Sequence, residues 1–115
     1  MKSLLILGAG GFGRMIKETA LALGYEEVLF LDDTAKDDDV IGRCCDYHLY
    51  HRDYSVAVAA FGNNKTRLFW TQKLLEEEYE VPAIVHPSAI VSPSVRLEPG
   101  CFIMQRVRQS PLVQC

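Results

Sequence analysis

The sequence has no apolar run near the ~20 residues that a membrane-spanning helix needs. Its first aliphatic stretch, Leu4-Leu5-Ile6-Leu7, runs into glycines rather than a small-residue cleavage site, so the N-terminus is not read as a signal peptide. A concentrated basic face is also missing. The 12 Lys and Arg are scattered against 15 Asp and Glu, giving a net charge of −3, whereas a nucleic-acid binder needs clustered cations to displace counterions. No CxxC pair occurs. Cys44, Cys45, Cys101 and Cys115 lack zinc-site spacing and are expected to be reduced thiols without a role. Together these absences argue against a membrane, nucleic acid or a metal as partner, and for a cytoplasmic chain. A length of 115 residues leaves room for one domain and a short appendage.

What is present begins with a βαβ unit. Leu4–Leu7 reads as a parallel strand buried on both faces, ending at Gly8. From there Phe12, Ile16, Ala20 and Leu23 form a helical stripe, closed by Gly24 in the position of a C-cap glycine. Val28–Leu31 is a second strand, ending in Asp32-Asp33. Within that frame Gly8-Ala9-Gly10-Gly11-Phe12-Gly13 reads as a phosphate loop. Gly8 permits the tight turn, Gly10 lets the backbone approach a diphosphate, and Gly13 lets helix and strand pack closely. Backbone N–H groups and the helix dipole would then face the anion. Asp32 lies 24 residues after Gly8, where an acid can accept from ribose hydroxyls; a solvated loop acid is the alternative.

Residues 34–54 read as a polar surface loop anchored by Tyr47, Tyr50 and Tyr54, with Asp37-Asp38-Asp39 a solvated turn. A metal site from His48, His51, Cys44 and Cys45 is conceivable but not expected. Val56–Phe61 reads as a third buried strand, followed by Gly62-Asn63-Asn64 with one asparagine as N-cap. The next helix, about Lys65 to Tyr79, is expected to present Leu68, Leu75 and Tyr79 on one face. Gly62 and Asn63 also lie at a strand's carboxyl end, where ligands of open α/β sheets bind. Arg67 is left between an anion contact and plain exposure.

After Pro82 the pattern changes. Val85, Val91, Leu97 and Ile103 recur every six positions, and Pro87, Pro93 and Pro99 keep the same step. Two interleaved six-residue series indicate a parallel β-helix of hexapeptide repeats. The series then stops, because the next position is Gln109. There is little more than one coil, whereas such solenoids need several to bury a continuous core. Ile84, Ile90, Val91 and Ile103 are therefore expected to be uncovered and to favour self-association.

In order, LLILGAGGFGRMIKE, FLDD, AAFGNNKTR and IVHPSAIVSPSVRLEPGCFIM resemble the sugar acyltransferases of the sialic acid O-acetyltransferase (NeuD) and bacillosamine N-acetyltransferase type, over about residues 3–104. The resemblance implies an α/β fold: a small Rossmann-like parallel sheet with flanking helices (1–82), then the first coil of a left-handed parallel β-helix (83–104). Residues 105–115 are read as a non-conforming tail, as expected of a truncated or frame-shifted member. It also implies a UDP- or CMP-linked sugar on Gly8, Gly10, Gly11, Phe12, Gly13, Asp32 and Asp33, with Gly62, Asn63 and Asn64 nearby. Acetyl-CoA is the family's acyl donor and a homotrimer its assembly. The family's catalytic histidine and CoA groove lie further along the β-helix, so no catalytic residue is assigned. His86 is read as a junction residue, and this chain is expected neither to bind acetyl-CoA nor to complete transfer. A NAD-binding oxidoreductase fragment and a non-enzymatic nucleotide-sensing module are the alternatives.

Overall fold

The computed structural model describes residues 2–89, 98–107 and 110–114, by backbone alone after Ile103. Strand β1 (Ser3–Leu7) leads into helix α1 (Gly11–Ala22) and strand β2 (Glu27–Leu31). Strand β3 (Val40–Gly42), a 3-10 helix (Cys44–Leu49), strand β4 (Ala57–Ala59) and helix α2 (Asn64–Glu76) follow. The four strands form one parallel sheet in the order β3-β2-β1-β4. Leu4 to Leu7 and Ala57 to Ala59 are fully buried, as continuous aliphatic runs in a sheet covered on both faces require. The strand order reverses at β1, so the carboxyl ends of β1 and β4 flank the topological switch point.

α1 buries Gly13, Ile16, Thr19 and Ala20. Leu23, expected on that stripe, is instead the half-exposed C-cap, and Gly24 follows at φ 101°. α2 departs further from expectation. Its buried residues are Arg67, Thr71 and Leu74, while Leu68 and Leu75 are exposed. The inward stripe still has helical spacing, but two of its members are polar, and apolar periodicity selects the neighbouring face. Tyr79 is buried as expected, beyond the helix end. Asn63 is the N-cap, its side chain accepting the Thr66 N–H at 3.0 Å.

Residues 34–54 are not a loop throughout. β3 is a three-residue strand with no hydrophobic run to announce it, held by bonds such as Phe30 N–H to Asp39 C=O at 2.8 Å. The tyrosines do anchor this stretch. Tyr50 donates to the Ile41 carbonyl, Tyr54 to Glu27, and Tyr79 to the Tyr47 carbonyl.

Beyond α2, strand β5 (Ile84–Val85) pairs in parallel with strand β6 (Phe102–Val107), Ile84 opposite Phe102 and Val85 opposite Ile103. Partners 18 residues apart are what one turn of three hexapeptides produces. Strand β7 (Ser110–Gln114) then returns antiparallel on the other edge of β6. Ile84 and Ile103, expected to be uncovered, are 1% and 3% exposed. The start of the coil joins the main core: Phe102 is fully buried and meets Phe12 of α1 edge-on, ring centroids 5.4 Å apart. Ile90, Val91, Pro93 and Leu97 lie outside the described residues. Cys44 and Cys45 are free thiols. Cys101 is disulfide-bonded, against the expectation of a reduced thiol; spacing along a sequence does not report which cysteines a fold brings together. No helix among the described residues is long and apolar enough to cross a membrane.

Candidate functional site

Two motifs far apart in the sequence meet at the switch point. Gly8 has φ 104°, and a Cβ there would stand 2.9 Å from the Ala60 carbonyl and 3.1 Å from the Phe61 ring. Ala60 N–H also bonds the Leu7 carbonyl at 2.8 Å. The glycine loop and the chain leading to Gly62-Asn63-Asn64 are therefore neighbours. Gly13 closes the loop from the helix side: an added Cβ would fall 1.9 Å from the Gly8 carbonyl oxygen.

Gly10 and Gly11 differ from these two. Both are exposed, and a Cβ at either would meet nothing within 4 Å. Gly10 is the N-cap of α1 and supplies no side-chain cap, and no acidic residue lies in the first turn. The first intrahelical bond is Arg14 N–H to the Gly10 carbonyl. The N–H groups of Gly11, Phe12 and Gly13 thus end the helix without a side-chain acceptor, an arrangement that favours an anion. Phe12, expected at the ligand, instead turns its ring onto Phe102. Only its backbone belongs to the loop face.

Asp32 accepts the Ala9 N–H on Oδ2 at 2.7 Å, and the Thr34 and Ala35 N–H groups on Oδ1 at 2.8 Å each. Partial desolvation works against its charge, yet these N–H donors and the Thr34 hydroxyl outweigh it and lower the pKa to about 2. Asp32 is a brace joining β2 to the glycine loop. Asp33 accepts the Cys44 N–H at 3.1 Å. Burial, followed by the Asp33 and Asp32 charges, pushes the Cys44 thiol up to about 12, the behaviour of a buried structural cysteine rather than an activated nucleophile.

Beside Asp32 lies a shallow hollow of about 420 Å³, formed by residues 32–37 and 40–43 at the carboxyl ends of β2 and β3. Thr34, Lys36 and Arg43 line it, and no motif marks them in the sequence. Its outer wall is tied to α1. Asp39 and Asp37, expected to be a solvated turn with Asp38, pair with Arg14 at 2.5 and 2.8 Å, and Asp39 also takes Lys17 at 2.7 Å. A charged turn next to two helix cations is neutralised by them rather than by solvent alone. Arg67, left open between anion contact and exposure, is 2% exposed.

This geometry has known counterparts. A family model described as the PglD N-terminal domain matches residues 3–74. The acetyltransferase domain of PglB from Neisseria gonorrhoeae FA1090, in complex with acetyl coenzyme A, is 34% identical over 90% of this chain and 53% of that one, with a TM-score of 0.79. PerB from Caulobacter crescentus, in complex with CoA and GDP-perosamine, is 27% identical over 91% of this chain and 52% of that one, with a TM-score of 0.82. The chain spans about half the length of these proteins. With the glycine loop, the FLDD acids and the AAFGNN segment in the order and places described, the chain belongs to the PglD N-terminal domain family.

Proposed function

We propose that residues 1–82 bind the nucleotide-sugar acceptor of a sugar acetyltransferase. The observation that carries this reading is the bare N-terminus of α1 at the switch point, opening beside the hollow. A diphosphate fits the N–H groups from Gly11 to Gly13, with Gly10 leaving the approach clear and Gly62, Asn63 and Asn64 across the crevice. The nucleoside then extends past Asp32 and Asp33 toward the hollow. Both acids act chiefly by holding the loops that frame it. PerB is described with GDP-perosamine bound, which supports a nucleotide-sugar as the ligand class; a UDP-sugar is our choice within it.

Residues 83–104 begin the hexapeptide β-helix, and 105–115 depart from it. β7 lies antiparallel on the edge of β6, where a further coil would pair in parallel. We therefore expect β7 to oppose the addition of a further coil on this edge, and the described residues to bind the acceptor without completing acetyl transfer. Its compartment is taken to be the cytoplasm, where acetyl-CoA and activated sugars are available. Titration calorimetry with UDP-N-acetylglucosamine, GDP-mannose and NAD tests the reading. Binding of a nucleotide-sugar, with NAD weaker or absent, is expected. Preference for NAD would overturn it in favour of the oxidoreductase alternative.

A further inference from the structure

The ionic cluster beside the hollow does more than neutralise surface charge. Arg14 stands in the first turns of α1 and lies over the face of Phe30 in β2, its guanidinium carbon 4.3 Å from the ring centroid. From there one terminal nitrogen reaches Asp39 and the other reaches Asp37. Lys17, one turn further along, gives Asp39 a second cation. Asp39 is the residue whose carbonyl receives the Phe30 N–H as the chain rejoins the sheet, and Asp37 lines the hollow. Arg14 therefore grips the wall of the hollow at both its rim and its root.

At the other end of the same segment, Asp32 ties Thr34 and Ala35 to the Ala9 N–H. The wall is thus pinned to the glycine loop at one end and to the helix behind that loop at the other. Three consecutive aspartates would not hold such a shape alone, because their charges repel. Asp39 is only 19% exposed, and its Oδ1 is buried without a hydrogen-bond partner among the described residues. Removing the guanidinium would leave Asp39 with Lys17 alone and take from Asp37 the cation it pairs with, and the wall would move to rehydrate both carboxylates.

We propose that Arg14 is a positioning residue for nucleotide recognition. It holds residues 33–39 in the conformation that shapes the hollow without itself touching the ligand. This inference rests on the nucleotide-sugar reading above. It departs from the simplest alternative, in which a cation in the first turns of the helix binds phosphate directly.

The test compares wild-type protein, Arg14→Met and Arg14→Lys. NMR titrations use uridine and UDP, with guanosine and GDP in parallel, and amide exchange is followed without ligand. Methionine keeps an apolar stem over Phe30 but cannot pair with the aspartates. Arg14→Met is expected to weaken nucleoside and nucleotide by the same factor, about tenfold, or about 1.4 kcal/mol. Amides of residues 33–39 should exchange at least about tenfold faster, the mark of a lower local opening free energy. Those of Leu4–Leu7 should remain protected, and Arg14→Lys should recover part of both effects. Weakening of UDP or GDP alone, with the nucleosides unaffected, would overturn the proposal and make Arg14 a phosphate ligand. Unchanged exchange in the wall would also overturn it. If Arg14→Met unfolds, Asp39→Asn breaks the same grip and is held to the same two outcomes. Failure of wild-type protein to bind any of the four probes would instead remove the nucleotide-sugar reading, while the exchange measurement would still report on the wall.

Discussion

At the scale of single residues, glycines in one short loop have opposite constraints. Gly13 has no room: an added methyl would fall 1.9 Å from a backbone oxygen, so Gly13→Ala should cost about 3 kcal/mol or more, measured by urea unfolding. Gly11 has open space and stands at the first position of α1. Gly11→Asp should leave stability unchanged or raise it by ~0.3–1 kcal/mol, because a carboxylate suits a helix N-terminus. The same charge would occupy the anion's place, and nucleotide-sugar binding should fall at least about tenfold. Stability and binding moving in opposite directions is a result that no purely structural role for Gly11 gives. Gly8 and Gly13 were legible in the sequence because each makes a close approach that a Cβ forbids. Asp32 was not legible in this way. Spacing from the glycines does not report that Asp32 accepts the N–H groups of Ala9, Thr34 and Ala35.

At the scale of elements, the loop from β2 to β3 and helix α2 carry the largest departures from expectation. Asp32 and Asp39 are both held near pKa 2, against an ordinary value of 3.8. For Asp39 the leading cause is the hydrogen bond from Arg14, opposed by desolvation and supported by Lys17. Since both folded values are depressed, the unfolded chain takes up protons first on acidification. Their contribution is complete above about pH 5 and is lost as pH falls toward about 2. Each is worth up to ~2 kcal/mol before solvent screening reduces it. Urea unfolding across that range should show the decline, and Asp39→Asn should flatten it. In α2 the outward Leu68 is 61% exposed and the inward Leu74 fully buried. Leu68→Lys should change stability by less than about 0.5 kcal/mol, whereas Leu74→Ala should cost ~2–5 kcal/mol. The helix itself was legible from its cap and composition. Its orientation was not, because Arg67 and Thr71 face inward and carry no apolar signal.

At the scale of the whole molecule, the six-residue recurrence was the most informative reading: a parallel β-helix of hexapeptides agrees with partners 18 residues apart in β5 and β6. It did not show that the coil's first residues would be covered by the α/β unit. Ile84 and Phe102 share one core with β1, β2 and β4, so chemical unfolding followed by Trp70 fluorescence and by far-UV circular dichroism should give a single coincident transition. Two separated transitions would mean that coil and sheet are independent. Phe102→Ala should lower the midpoint by an amount equivalent to ~3–5 kcal/mol. The central claim is that the glycine loop and the adjoining hollow together receive a nucleotide-sugar. Its most direct test is an amide chemical-shift map on adding UDP-N-acetylglucosamine. The largest shifts are expected at Gly10–Gly13 and in residues 34–43, with smaller ones at Gly62–Asn64. Shifts confined to other surfaces, or none at saturating ligand, would contradict it.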